Sequence, residues 1–252
     1  MSNNQEYQDK IEQGCLEFVK RNLKEKDLFG LSNEQYIELE HWLNNSELNL
    51  NNRFPDFTFS NGFIEHFAVT SSLEDKKGSK QKRESSIFFK KSESNFLSKL
   101  DNSEEEKVII GQSYGRKFEE HAYGHIVNSI KKNWIKHIES YDKNITTSKN
   151  GIFLIEYIDI NIQTAVSTKN ESVKIFDTYR ISVDKHMLEW IHNYKEKIDY
   201  LILVNILSSS IEVIRIDCIP KIIEGIPDVW YAPIVGMESH KYVGIKTNNT
   251  DT

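Results

Sequence analysis

Two acidic side chains in an apolar hairpin are the first candidates for chemistry. The stretch FPDFTFSNGFIEHFAVTSS (54–72) has two alternating segments joined by Asn61-Gly62, with Asp56 in the first and Glu65 in the second. Asn-Gly between alternating strands favours a two-residue type I′ turn. That turn would set these pairs: Ser60 with Phe63, Thr58 with Glu65, and Asp56 with Phe67. Asp56 and Glu65 then become diagonal neighbours on one face of the hairpin, within reach of each other.

Such an acid pair is a candidate metal site. Two neighbouring carboxylates repel each other, and burial raises their pKa values, unless a cation lies between them. Oxygen ligands of this kind suit Mg²⁺ or Mn²⁺. A structural alternative uses the same residues, with Asp56 capping a turn and Glu65 pairing with a lysine of the next segment.

Pro55-Asp56, followed by a hairpin with Glu65 on its second strand, resembles the PD-(D/E)XK nuclease superfamily. The resemblance covers residues 32 to 165. It implies a restriction-endonuclease-like core of order α-β-β-β-α-β, in which the acids hold Mg²⁺ or Mn²⁺ beside the scissile phosphate. The family lysine that orients the attacking water should stand two residues after the second acid, where this chain has Phe67. The candidates to replace it are Lys76, Lys77, Lys80 and Lys117.

A basic run follows the hairpin in this acidic chain. The segment KKGSKQKR (76–83) contributes Lys76, Lys77, Lys80, Lys82 and Arg83. Beside a carboxylate site, this run could hold a nucleic-acid backbone by charge. The alternative is a solvated surface loop. Arg116 and Lys117, which open the long helix predicted below, are further candidates for contact with phosphate.

Other titratable residues give weaker signals. His121 and His125 are four residues apart on a predicted helix, so the pair could bind zinc or could be histidines at the edge of the core. Glu156 is an acid on the apolar face of a predicted strand, where it could join the metal site or pair with Arg180. Glu40, on the helix before the hairpin, is a weaker candidate of the same kind.

Composition limits the class of protein. The chain has 252 residues, 28 % of them charged, and a formal net charge of −6, which argues mildly against a general nucleic-acid binder. Two cysteines exclude a disulfide framework. The polar start, MSNNQEYQDK, lacks the apolar core of a signal peptide, and no apolar run reaches the length of a membrane span. A soluble, cytoplasmic protein is expected.

The predicted elements alternate along the chain. Helices are expected at 8–26, 31–45, 112–140 and 184–197, with a mobile loop over some of 73–107. The runs GIFLIEYIDINIQTAV, YLILVNIL and SIEVIRIDCI are predicted strands, and the second has the continuous apolar character of a strand buried on both faces. The prediction is an α/β (α+β) fold with a mixed central sheet flanked by helices. One domain over 1–252 is expected: a helical part (1–50), a core (51–225) and a C-terminal coil (226–252).

These patterns favour a metal-dependent nuclease that acts on nucleic acid, most of all DNA. A restriction or other defence role follows by analogy with the family, and a homodimer would suit cleavage of both strands. The first alternative is a non-catalytic nucleic-acid or protein binding domain on the same fold. The second is a zinc protein that uses His121 and His125.

Overall fold

The computed structural model describes residues 3–49, 54–72, 79–102, 107–117, 121–144, 150–167, 172–233 and 237–247. Its helices are α1 (Asn3–Asn22), α2 (Asn33–Asn44), α3 (Ser79–Asp101), α4 (Tyr123–Asn144), α5 (Lys185–His192) and α6 (Ile219–Glu224). Its strands are β1 (Leu28–Phe29), β2 (Glu47–Leu48), β3 (Phe57–Phe59), β4 (Gly62–Val69), β5 (Lys107–Lys117), β6 (Asn150–Tyr157), β7 (Ile162–Ser167), β8 (Lys174–Phe176), β9 (Tyr200–Asn205), β10 (Ser210–Arg215), β11 (Asp228–Pro233) and β12 (Met237–Thr247).

Seven of these strands form a mixed central sheet in the order β1-β10-β9-β6-β4-β3-β2. Strands β4, β6 and β9 run parallel at its centre, while β3 is antiparallel to both of its neighbours. All six residues of β9 are buried, because helices cover both faces of a parallel sheet. The predicted fold class, a mixed sheet flanked by helices, is confirmed.

Two hydrophobic clusters lie on opposite faces of this sheet. On one face, α1 and α2 pack through residues such as Leu16, Leu39 and Trp42. On the other, α4, α5 and α6 pack through residues such as Trp134 and Leu188. The alternation of side chains along β4 therefore decides which cluster each residue meets.

The chain divides into two compact units, where one domain was expected. The first unit contains residues 1–71 and 122–233, and the second contains 72–121 and 234–252. In the second unit, β5 and β12 form an antiparallel pair on which α3 packs. The second unit is therefore an insertion between β4 and α4, completed by the C-terminal strand.

The structure corrects three predicted elements. Much of the loop predicted at 73–107 is helix α3. The predicted helix at 112–140 is instead strand β5 followed, after an interval, by α4. The predicted C-terminal coil contains β11 and β12, which pair with strands from earlier in the chain. Strands β5, β11 and β12 form through pairing with strands distant in the sequence, which local composition does not reveal. The segment of α3 is predicted as a loop from its charged composition alone.

Candidate metal centre

The hairpin that carries Asp56 and Glu65 forms, but the predicted register is wrong by two residues. Phe59 pairs with Gly62, so residues 60–61 make the turn. A shift of two keeps every side chain on its predicted face. Continuing the observed register places Asp56 directly opposite Glu65, so that the two acids are closer neighbours than the predicted diagonal pair.

Gly62 is required for close packing, and not for the type I′ turn that Asn61-Gly62 predicts. Among the described residues of this turn, neither Gly62 nor residues 60–61 has the positive φ that a type I′ turn needs. Instead, a Cβ at position 62 would lie 2.2 Å from the carbonyl oxygen of Asn150 and 2.3 Å from the ring of Phe59. Glycine is therefore required here for the close approach of β6, and the turn moves one residue towards the N-terminus.

At the open end of the hairpin, the carboxylates of Asp56 and Glu65 accept the hydrogen bonds that backbone carbonyl groups accept elsewhere in the sheet. The Asp56 N–H donates to Glu65 Oε2 at 3.1 Å, and the His66 N–H donates to Asp56 Oδ2 at 2.7 Å. The carbonyl oxygen of Asp56 accepts a bond from the Asn49 N–H at 2.7 Å, which extends the pairing of β2 with β3. Each carboxylate thus holds a backbone group of the opposite strand, and both are fixed in orientation.

The environment disfavours negative charge on both acids. Burial, then the charge of Glu65, raises the pKa of Asp56 to about 7. Burial raises the pKa of Glu65 to about 8, and the charge of Glu12 adds to this. Within the described part of the chain, neither acid forms an ion pair with a lysine or arginine. The pair therefore lacks the positive charge that would keep it ionised at neutral pH.

Two residues from distant helices complete the cluster. Glu12 on α1 is 5 % exposed, and burial followed by the charge of Asp56 raises the pKa of its carboxyl group. On the other face, His137 on α4 lies with Nδ1 2.5 Å from Oε1 of Glu65. Burial, followed by the charge of Lys136, lowers the pKa of His137 to about 4, so this imidazole is neutral at pH 7.

Phe67 occupies the position where the resemblance calls for a lysine, and it supports His137. The two rings stack with centroids 4.8 Å apart and planes inclined by 11°. Phe67 is 5 % exposed and also contacts Phe153. Where the resemblance implies a lysine, this chain therefore has an aromatic ring that supports a histidine.

The weaker acid candidates have other neighbours. Glu40 is exposed and accepts a bond from Tyr36 OH at 3.3 Å. Glu156 on β6 and His66 on the neighbouring strand β4 lie on the same face of the sheet, with Glu156 Oε2 3.3 Å from His66 Nε2. The predicted Arg180 partner of Glu156 is wrong, since Arg180 lies beside Glu212 and bonds to Ser210.

The basic candidates belong to the second unit, whereas Asp56 and Glu65 belong to the first. Lys76 and Lys77 lie outside the described residues. Lys80, Lys82 and Arg83 fall in the first turns of α3. Arg116 and Lys117 end strand β5, so the prediction that they open a helix is wrong.

The histidine pair does not have the predicted helical spacing. His121 precedes α4, which begins at Tyr123, and forms an isolated bridge with Ser72. His125 lies in the first turn of α4, and its buried Nδ1 has no hydrogen-bond partner among the described groups. The premise of the helical zinc pair is therefore wrong.

A different group of metal-ligand type was missed in the sequence. In the described ranges, Cys15, His66 and Glu156 form the one set of three such residues whose ligand atoms lie within 4.8 Å of one another. Glu12 and His137 were missed as well. Glu12 shares one helix face with Cys15, Leu16 and Val19, so an acid within an apolar stripe was the available signal. His137 gave no such signal, because only the packing of α4 brings it to Glu65.

Comparison with known proteins does not indicate a family or a function for this chain. None of the described helices has the length and hydropathy that a membrane-spanning segment needs. Searches of family models, curated proteins and solved structures found no match to this chain.

Proposed function

We propose that this protein is a metal-dependent phosphodiesterase that cleaves nucleic acid, DNA in the first place. The observation that carries the proposal is the meeting of Asp56, which is half-buried, and Glu65, which is buried, at the open end of the hairpin. Neither acid forms an ion pair with a described lysine or arginine. Buried carboxylates with raised pKa values are typical of functional sites. A restriction or defence role remains a proposal by analogy.

The order of elements supports the resemblance to the PD-(D/E)XK superfamily. When the second unit is left out, the chain runs α2, β2, β3, β4, α4, β6. This is the α-β-β-β-α-β order that the resemblance implies. The acids take the expected places, Asp56 just before β3 and Glu65 in the middle of β4.

The donor groups fit Mg²⁺ or Mn²⁺. Mg²⁺ is usually held by one or two carboxylates and keeps several waters, and Asp56 and Glu65 supply two carboxylates. Each carboxylate oxygen that accepts a backbone N–H keeps a second lone pair for a metal ion. A divalent cation held here would acidify a bound water and neutralise charge on the phosphate.

His137 is the residue that we expect to accept the proton of the attacking water. Glu65, when ionised, accepts the Nδ1–H of the neutral ring, which leaves Nε2 as the acceptor. The Phe67 ring fixes the plane of the imidazole. A neutral histidine oriented by a carboxylate is a general base in reach of the acid pair.

The nucleic acid would be held by the cations of the second unit. Lys77, Lys80, Lys82 and Arg83 follow one another closely in the sequence, and Arg116 and Lys117 end β5. Contacts with phosphates supply most of the non-specific affinity of nucleic-acid binding proteins and are weakened by salt. We therefore expect binding that does not depend on Asp56 or Glu65.

Plasmid DNA and RNA, incubated with the full-length protein in Mg²⁺, Mn²⁺ or EDTA, test the proposal. Asp56→Asn and Glu65→Gln keep an acceptor for the backbone N–H but remove the charge, so these variants should fold and lose at least about 10²-fold in cleavage rate. Glu40→Gln, which changes an exposed acid on α2, is the matched control and should cleave like the wild type.

One observation favours the non-catalytic alternative, a binding domain on the same fold. The bonds from each carboxylate to the opposite strand are a structural role that needs no metal. That alternative predicts nucleic-acid binding without cleavage under any of the metal conditions. Absence of metal-dependent cleavage of every substrate would decide against the nuclease.

A further inference from the structure

A second set of ligand-type side chains lies on the opposite face of β4 from Glu65. Cys15 comes from α1, His66 from β4 and Glu156 from β6, and their ligand atoms lie within 4.8 Å of one another. Cys15 is 0 % exposed and His66 is 7 % exposed. Three elements distant in the sequence thus direct a sulfur, a nitrogen and an oxygen to one buried point.

The separation of the His66 and Glu156 ligand atoms matches that of two ligands around a tetrahedral zinc ion. Zn–N bonds of about 2.0–2.1 Å and Zn–O bonds of about 2.0–2.2 Å place tetrahedral ligand atoms roughly 3.3–3.5 Å apart. His66 Nε2 and Glu156 Oε2 are 3.3 Å apart, which is long for a charge-assisted hydrogen bond. Zinc binds to thiolate, imidazole and carboxylate, whereas Mg²⁺ requires oxygen ligands and rarely takes sulfur.

A simple hydrogen-bonded pair explains only part of this arrangement. His66 and Glu156 could satisfy each other, but that pair gives no reason for a buried thiol to lie beside both polar atoms. The structure also supplies the support that metal ligands need, since His66 and Glu156 stand on neighbouring parallel strands of the central sheet. Glu156 keeps 14 % of its side chain exposed, which leaves one side of the cluster open to water.

We propose that Cys15, His66 and Glu156 bind one Zn²⁺ ion, with water as the fourth ligand, and that this ion joins α1 to the centre of the sheet. The site is separate from the acid pair because Glu65 faces α4 while His66, the next residue, faces α1. It does not depend on the proposed nuclease activity. The ion would fix the helix that carries Glu12.

Metal content and cobalt spectroscopy test the zinc site on the full-length protein. Protein produced with added zinc and dialysed against metal-free buffer should retain about one Zn²⁺ per chain by mass spectrometry. After exchange with Co²⁺, a thiolate-to-cobalt charge-transfer band should appear in the near ultraviolet. Cys15→Ser should lose that band. Both Cys15→Ser and His66→Gln should lower the zinc affinity at least about tenfold.

Cys218→Ser is the matched control, because Cys218 is the other cysteine of the chain and lies outside the cluster. This control should keep both the zinc and the cobalt band. Circular dichroism identifies any variant that has failed to fold. If Cys15→Ser does not fold, the Co²⁺ absorption spectrum of the wild-type protein decides the case. A wild-type protein that holds no stoichiometric zinc, or whose Co²⁺ spectrum has no thiolate band, would overturn the proposal.

Discussion

At the scale of single residues, the hairpin buries carboxyl groups whose charged forms are more stable in water. Asp56, Glu65 and Glu12 are three acids whose pKa values are all raised, and burial is the largest cause for each. The free-energy cost of burying the Asp56 and Glu65 carboxyl groups is offset in part by hydrogen bonds from backbone N–H groups. A folded chain retains such a cluster at a cost in stability, and buried acids with raised pKa values are typical of functional sites.

The stability of the metal-free protein should fall as the pH rises from about 6.5 to 8. An acid whose pKa is raised on folding binds more protons in the folded state, so its stabilising effect is complete below the unfolded pKa and lost through the folded pKa. For Asp56 and Glu65 the loss extends to about pH 7 and about pH 8. His137, with a pKa lowered from 6.5 to about 4, has the opposite effect, but only below about pH 6.5.

Urea unfolding in EDTA at pH 6, 7 and 8 measures this dependence. Asp56→Asn should flatten the curve and should stabilise the metal-free protein at pH 8 by on the order of 1–3 kcal/mol. Added Mg²⁺ should stabilise the wild type more at pH 8 than at pH 6, since the ion competes with protons. A stability that rises between pH 6.5 and 8 would contradict the raised pKa values.

His137→Gln should lower the rate of metal-dependent cleavage by about 10²–10⁴-fold, the usual loss when a general base is removed. Glutamine keeps a polar group near Glu65 but cannot accept a proton at neutral pH. His186→Gln is the control, because the His186 side chain is 88 % exposed on α5. Equal cleavage rates for the two variants would show that another residue accepts the proton.

At the scale of elements, the signals that were read correctly are those in which a local pattern and the tertiary structure agree. The helix predicted at 31–45 is α2, and Ser32 caps it, accepting from Gln35 N at 3.3 Å while Gln35 Oε1 accepts from Ser32 N at 2.8 Å. The apolar run of β9 is a buried central strand. Glu65 and Phe67 share the face that the period of two assigns to them.

The predictions that failed depend on partners distant in the sequence. Strand β5 contains Gly111 and Gly115 and exists through its pairing with β12, more than a hundred residues later. The hairpin register was wrong because the close approach of β6 determines the place of Gly62. Cys15, His66 and Glu156 likewise come together only in the folded chain, so no motif spacing could have identified them.

Gly62→Ala should destabilise the protein by several kcal/mol, because the new Cβ would overlap the backbone of β6 and the ring of Phe59. Gly14→Ala is the matched comparison: no atom lies within 4 Å of its Cβ position, and the residue is inside α1. That change should stabilise by about 0.5–1 kcal/mol. Urea unfolding of both variants checks the pair, and a similar effect of both changes would contradict the close approach.

At the scale of the whole molecule, the two ends of the first unit that flank residues 72–121 lie together. The Ala122 N–H donates to the carbonyl oxygen of Ser71 at 3.1 Å, so the two ends of the first unit at the insertion are hydrogen-bonded neighbours. The first unit holds the central sheet, the acids Asp56 and Glu65, and the proposed zinc ligands, whereas the basic candidates lie in the second. If the proposed function holds, catalysis belongs to the first unit and phosphate binding to the second.

A shortened chain tests that assignment. Residues 73–120 replaced by a short Gly/Ser linker, with the chain ended at Pro233, should fold cooperatively because the insertion ends are already adjacent. It should keep the metal-dependent stabilisation of the acid pair but bind DNA more weakly and with a smaller dependence on salt, since the phosphate-binding cations are gone. Titration of labelled DNA at several salt concentrations, with the full-length protein as reference, measures both effects. Unchanged affinity and salt dependence would place the nucleic-acid contacts in the first unit, beside the acids themselves.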